Sequence, residues 1–93
     1  MKAVWNDTVI AESSDTVVVE GNHYFPMSSP VREHVVDSAH RTVCGWKGQA
    51  SHYTIRVNGT ENMNAAWYYP TPESGAEAVA DRVGFWKGVE VGP

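Results

Sequence analysis

Cysteine is almost missing from this chain: Cys44 is the only one among 93 residues. One thiol cannot close an intramolecular disulfide, and it excludes a structural zinc site built on paired cysteines. Basic charge is scarce too. Seven Lys and Arg, scattered rather than clustered, stand against eleven Asp and Glu, for a formal net charge of −4. Nucleic-acid binders carry a basic stripe that neutralises phosphates, so DNA and RNA are not expected partners. The acidic balance reads as a contribution to solubility. No apolar run approaches the roughly 20 residues of a membrane helix. The opening Met1-Lys2-Ala3-Val4-Trp5-Asn6-Asp7 lacks an apolar signal region, so the expectation is a cytoplasmic domain with no membrane partner. His23, His34, His40 and His52 show no H-x-x-x-H or H-E-x-x-H spacing. No phosphate-binding glycine loop and no paired-carboxylate motif is present either. No metal and no cofactor are expected.

What the chain does have is the composition of a folded globular domain: 42% hydrophobic and 19% charged residues, with 4 Trp, 4 Tyr and 2 Phe. No linker or low-complexity stretch interrupts it, so residues 1–93 read as a single domain. Short alternating or β-branched segments separated by turn residues predict strands over residues 3–6, 8–12 and 16–20, most simply a three-strand meander. Tyr24-Phe25-Pro26 reads as an extended piece, and Ser29 before Pro30 starts a short helical turn ending near His34. Val35, Val36 and residues 41–46 are again strand-like, and strands follow over 50–57 and 64–69, the last stopped by Pro70 and Pro72. Asn58-Gly59 suits the positive φ angles of a tight hairpin, with residues 60–62 expected to lengthen it into a bulged or longer connection. Ser74 and Glu77 form a capping box, and Ala76, Val79, Ala80 and Val83 share one stripe, predicting a helix from Gly75 to about Val83. Phe85-Trp86 opens a last strand running to Val91. The expected class is mainly β with one short C-terminal covering helix.

Strand alternation groups Thr42 with Cys44 and Trp46, and Ala65 with Trp67 and Tyr69. Trp5, Trp46, Trp67, Tyr69 and Trp86 suit an aromatic-lined pocket that grips a flat or cationic ligand. Core packing in a small domain is the plainer reading. Cys44 is a nucleophile if a base such as His52 lies within reach, and otherwise a small buried hydrophobe. Lys47 beside Gly48 either binds an anion together with the turn amides or is a solvated turn lysine. The Trp67-Tyr68-Tyr69 run is also a face that a protein partner or a second copy, in a homodimer, would cover.

Four stretches together resemble domain-of-unknown-function family 427 (DUF 427). They are Tyr24-Phe25-Pro26, the run from Thr42 to Tyr53, the run from Asn64 to Pro70 and the run from Arg82 to Trp86. The signatures are Cys-x-x-Lys-Gly-x-Ala-x-Tyr and Ala-x-Trp-x-Tyr-x-x-Pro, and the likeness spans essentially the whole chain. Many relatives carry proline where Gly45 stands. The resemblance implies a β-tent, two antiparallel sheets meeting at an angle, of the kind that methionine-R-sulfoxide reductases and the drug-binding domain of cereblon use. Many such proteins hold a four-cysteine zinc, which one cysteine cannot supply. The reductases use a redox cysteine near the chain end, and Cys44 stands elsewhere. A nucleotidyltransferase-like label sometimes given to the family calls for clustered carboxylates around Mg²⁺, and no such cluster is evident.

The function expected is binding of an unidentified small molecule in a pocket between the sheets, lined by Tyr24, Cys44, Lys47, Tyr53, Trp67 and Tyr69. Trp67 and Tyr69 would supply faces, Lys47 a charge for an anionic group, and Tyr24 or Tyr53 a hydroxyl. Cys44 and Lys47 fall on opposite faces of an unbroken strand, so a shared site requires a break at Gly45. The enzyme alternative uses Cys44 with His52, or Lys47 as acid or base. The third alternative is the interaction module with the Trp67-Tyr68-Tyr69 face.

Overall fold

Residues 1–93 are all described by the computed structural model. Alternation and β-branched runs carry most of the chain into nine strands: β1 (Lys2–Trp5), β2 (Thr8–Glu12), β3 (Val17–Val19), β4 (Asn22–Pro26), β5 (Val35–Cys44), β6 (Gly48–Val57), β7 (Thr60–Tyr68), β8 (Arg82–Phe85) and β9 (Glu90–Gly92). Three two-residue turns set the hairpins. Asn6-Asp7, Glu20-Gly21 and Asn58-Gly59 all have positive φ, the geometry whose twist matches that of paired strands. Val57 therefore pairs directly with Thr60, and no longer connection is needed. The irregularity expected there falls further along, opposite Thr54, where Asn64 has φ 59° and its N–H donates to Thr54 Oγ1 at 3.2 Å.

The strands form two antiparallel sheets, β2-β1-β9 and β3-β4-β8-β7-β6-β5. The N-terminal meander is not continuous, because β3 pairs with β4 in the larger sheet rather than with β2. The last strand is likewise divided. Lys87 and Gly88, at φ 54° and 88°, turn the chain out of β8 so that β9 can pair with β1 in the smaller sheet.

The C-terminal covering helix is reduced to a single 3-10 turn, Glu77–Val79. Gly75 at φ 95°, Ala80 in extended conformation and Asp81 at φ 56° confine it, and a segment this short is marginal as an α-helix. Glu77 accepts from the Gly75 N–H at 3.0 Å, closing the turn locally. Val83, on the expected helical stripe, is drawn instead into β8, where it shares one face with Phe85 two positions on. The turn after Pro30 is also 3-10, at Arg32–His34, and Ser29 Oγ donates back to the Pro26 carbonyl instead of capping it.

Ala3, Ile10, Ala11, Phe25, Ile55, Val57, Ala65, Ala66, Val83 and Phe85 make one buried cluster between the sheets. Its alanines let the sheets approach, and Phe25 meets Phe85 edge-on at 5.5 Å. Each large side chain here stabilises the fold by about 1.5–3 kcal/mol through burial. These side chains occupy the centre of the space between the sheets, and an aromatic cleft lies on the other face of the larger sheet. A second cluster of Tyr24, Ala50, Tyr69, Ala76 and Val79 lies on the opposite face of the larger sheet, under the 3-10 turn.

Strand β5 forms the outer edge of the larger sheet and pairs only with β6. It is bulged between Asp37 and Arg41. Within the bulge Arg41 Nη1 donates to the carbonyls of Ser38 and His40, at 2.9 and 2.8 Å, and the His40 N–H donates to Ser38 Oγ.

Candidate functional site

The face of the larger sheet turned away from the smaller one carries an open cleft of about 310 Å³, lined by Asn22, Tyr24, Thr42, Lys47, His52, Trp67, Tyr69 and Trp86. Period-two alternation assigns these side chains to this face, while Phe25, Ala66 and Phe85, their neighbours in sequence, point to the core.

Trp67 is the centre of the wall. Its Nε1 donates to Tyr24 Oη at 3.2 Å, and its ring meets Tyr24 and Trp86 edge-on, both at 5.8 Å. It lies flat over Gly84 of the adjacent strand: a Cβ there would stand 2.7 Å from Trp67 Cζ2. Trp86 is fixed by its own Nε1, which donates to the Asn64 carbonyl at 2.7 Å.

The β5–β6 turn brings charge to the cleft. Gly45, Trp46 and Lys47 reverse the chain between paired Cys44 and Gly48. Gly48 takes φ 110°, and a Cβ on it would press the Thr71 carbonyl at 3.3 Å, so glycine is required for both backbone sign and space. The Lys47 carbonyl accepts from the Glu73 N–H at 3.0 Å, which latches the loop after β7 onto this turn. The break supplied by the turn returns Lys47 to the side of Cys44, as a shared site demands. Lys47 is 4% exposed. Its ammonium donates to Glu20 Oε1 and stands 4.6 Å from the Trp46 ring centroid and 5.9 Å from that of Tyr69. Burial works against this charge, yet hydrogen bonds to Glu20 and Cys44 outweigh it and hold the Lys47 pKa above 10.5. Glu20 is held below the ordinary carboxylate value, chiefly by its hydrogen bond with Lys47.

The Cys44 thiol is lowered from its ordinary value, first by the backbone N–H groups of Lys47 and then Trp46, which favour the thiolate. Its expected base is not beside it. Cys44 opposes Gly48, four positions before His52 on β6, roughly 13 Å along a strand. Lys47 is the titratable side chain at the sulfur. Tyr69 is pushed up to about 12, mainly by burial and then by neighbouring Tyr24.

His52 is 3% exposed. It shares a 3.0 Å hydrogen bond between Nε2 and Thr42 Oγ1, while Nδ1 has no partner. Its ring lies 4.8 Å from that of His40 and 6.4 Å from that of Trp86. Burial lowers its pKa, the backbone of Asn64 opposes this, and the charges of His40 and Lys87 lower it further.

Of the six residues expected to line one pocket, Tyr24, Lys47, Trp67 and Tyr69 line this cleft, with Cys44 packed behind it against the Tyr24–Tyr69 cluster. Tyr53 does not join them. Its parity on β6 turns it to the other face, where it stacks on Tyr68 at 4.7 Å and borders a separate recess with Met27, Pro30 and Asp37. Burial and Tyr68 push its pKa up to about 12. The same alternation divides Trp67-Tyr68-Tyr69, so these three rings do not form one surface. Trp5 packs against the core between the sheets. Sequence reasoning passed over Glu20, whose signal was the unusual Glu-Gly pair in a turn that favours Asn or Asp before Gly. His52, expected as a base for Cys44, lines the cleft instead. No group of three or more His, Cys, Asp or Glu side chains is placed to hold a metal ion. No helix is long and apolar enough to cross a membrane.

These features define a small, mainly β domain of two antiparallel sheets, with a polar aromatic cleft on the outer face of the larger one. The chain belongs to the family described as Domain of unknown function (DUF427), whose defining pattern matches residues 1–92. No curated protein matches it.

Proposed function

We propose that this domain binds a small molecule with a flat ring in the cleft over Trp67. The observation that carries the reading is the convergence of Tyr24, Trp67, Tyr69 and Trp86 around an open cavity with a buried lysine in its wall. Aromatic edges and faces recognise planar rings, and a few polar groups fix their orientation. Tyr24, Lys47, Trp67 and Tyr69 are the ligand-contacting residues in this reading, with Cys44 supporting Lys47 from behind. Titration with ring-bearing small molecules, followed by the indole N–H resonances, tests it. The Trp67 and Trp86 signals are expected to shift saturably, and Trp67→Leu to abolish the response. Shifts centred on Tyr53 and the recess beside Met27 would overturn it.

A second reading, a thiol enzyme with Cys44 as nucleophile, is favoured by the lowered Cys44 pKa beside Lys47. It predicts that alkylation of Cys44 by iodoacetamide reaches half its limiting rate below the pH of an ordinary thiol, and that Lys47→Met moves this midpoint upward. A thiol that titrates at its ordinary value would remove that reading.

A further inference from the structure

The carboxylate of Glu20 is gripped in a way that an ordinary surface ion pair does not require. Lys47 donates to Glu20 Oε1, and Trp46 Nε1 donates to Oε2 at 3.4 Å. Both donors come from consecutive residues of the β5–β6 turn, whereas Glu20 comes from the β3–β4 turn. The partners are also unequal. The Lys47 side chain is 6% exposed and that of Glu20 54% exposed. The cation is therefore built into the cleft, and the anion reaches it from outside.

Glu20 holds this place at a conformational cost. It is the first central residue of a two-residue hairpin turn and takes φ 54°. Left-handed backbone is unfavourable for a side chain with Cβ, which is why Asn, Asp and Gly dominate such turns. Glu makes a poorer turn than any of these, but its longer side chain reaches Lys47. Its carboxylate has no partners other than these two donors. Two positions on, Asn22 lines the cleft directly, so the turn stands at the rim.

We infer that Lys47 and Trp46 form a carboxylate-binding subsite that Glu20 occupies in the free protein and vacates for the carboxylate of a ring-bearing ligand. The inference rests on the cleft being a ring-binding site and names the ligand class as a planar aromatic monocarboxylate. The exchange conserves what burial of Lys47 demands. A buried ammonium keeps an anionic partner throughout, while the released Glu20 side chain, already half in water, loses little on full solvation. The ligand ring then lies against Trp67 and Tyr24, with its carboxylate toward the β5–β6 turn. Neutral amides of the same shape cannot displace Glu20, because they offer the ammonium no charge.

Phenylacetate and phenylacetamide are matched probes for the full chain, read by calorimetry and by the indole N–H resonances. Phenylacetate is expected to bind more tightly than the amide. Glu20→Gln is expected to tighten phenylacetate by about fivefold or more, since the competitor is gone and the competent fraction rises. Phenylacetamide affinity should stay unchanged in that variant. Glu20→Asn, too short to reach Lys47 and better suited to the turn, should tighten phenylacetate similarly. Agreement between these two variants separates competition from any change in folding. Lys47→Met should abolish the preference for the acid. If both probes bind at Trp67 but Glu20→Gln leaves phenylacetate unchanged or weakens it, the subsite exchange is overturned and the ring site stands. If neither probe binds wild type or variants, the ring site and the exchange fall together.

Discussion

On one face of the six-stranded sheet, Phe25, Ile55, Val57, Val83 and Phe85 meet the smaller sheet with no polar side chain among them. On the other, Tyr24, Trp67, Tyr69, His52 and Lys47 surround open space and bring hydroxyl, indole, imidazole and ammonium groups with them. The residues alternate along the same strands: Tyr24 beside Phe25, Ala66 beside Trp67, Gly84 beside Phe85. Period-two geometry lets one short strand serve a dry interior and a wet recess at once. The difference lies in what fixes each face. Size and shape suffice between the sheets. On the cleft side nearly every ring also has a directional partner, as in Trp67 to Tyr24 and Trp86 to the Asn64 carbonyl.

The largest effect that should expose this contrast comes from emptying the interior. Phe25→Ala is expected to cost about 3–5 kcal/mol in urea unfolding. An equal loss from Trp67→Ala, on the half-open side, would erase the distinction. Next is Gly84→Ala, which places a methyl group against Trp67 at less than van der Waals distance. Overpacking of this kind costs about 1–3 kcal/mol. In a double-mutant cycle with Trp67→Leu the cost should shrink, because the obstructing ring is gone. Additive losses would show that Gly84 serves backbone geometry alone.

The smallest effect is the pH response of the cleft. His52 is neutral by preference in the folded chain, with its pKa lowered below 6.5. Its contribution is fully present above pH 6.5 and is lost as pH falls from there through the lowered value, because the unfolded chain then binds the extra proton. Urea midpoints should therefore fall between pH 7.5 and 5.5, and His52→Gln should flatten that slope. An unchanged slope would assign the acid sensitivity to other groups.

Much of this architecture was readable in advance. β-Branched runs, Asn58-Gly59 and the prolines after Tyr69 located most strands, and the signatures around Cys44 and Trp67 pointed to residues that meet at the cleft. Parity also showed that Cys44 and Lys47 needed a turn between them, and Gly45–Lys47 provides it. What could not be read was the choice of sheet. Residues 17–19 and 90–92 are strands in sequence, but only long-range pairing decides that the first joins β4 and the second β1. Residues 75–83 carried helical spacing because Ala76, Val79 and Val83 also satisfy other packing, and the demand of β8 for Val83 and Phe85 prevailed. Tyr53 lies apart from the cleft because its alternation on β6 sets it on the face of Ile55 and Val57, opposite His52. Glu20 escaped notice since its role depends on a turn 27 positions away in sequence.

The bulge in β5 bears on how these molecules behave when crowded together. A ten-residue outer strand with half its hydrogen-bonding groups unpaired is a template on which a neighbouring chain could extend the sheet, the first step toward fibrils. Here Arg41 turns its guanidinium back on the carbonyls of Ser38 and His40, so the strand is divided into two short lengths with a positive charge between them. Neither length offers an incoming strand a long run of regular pairing. The same local kink that carries His40 over His52 shortens the regular edge this strand presents to a neighbour.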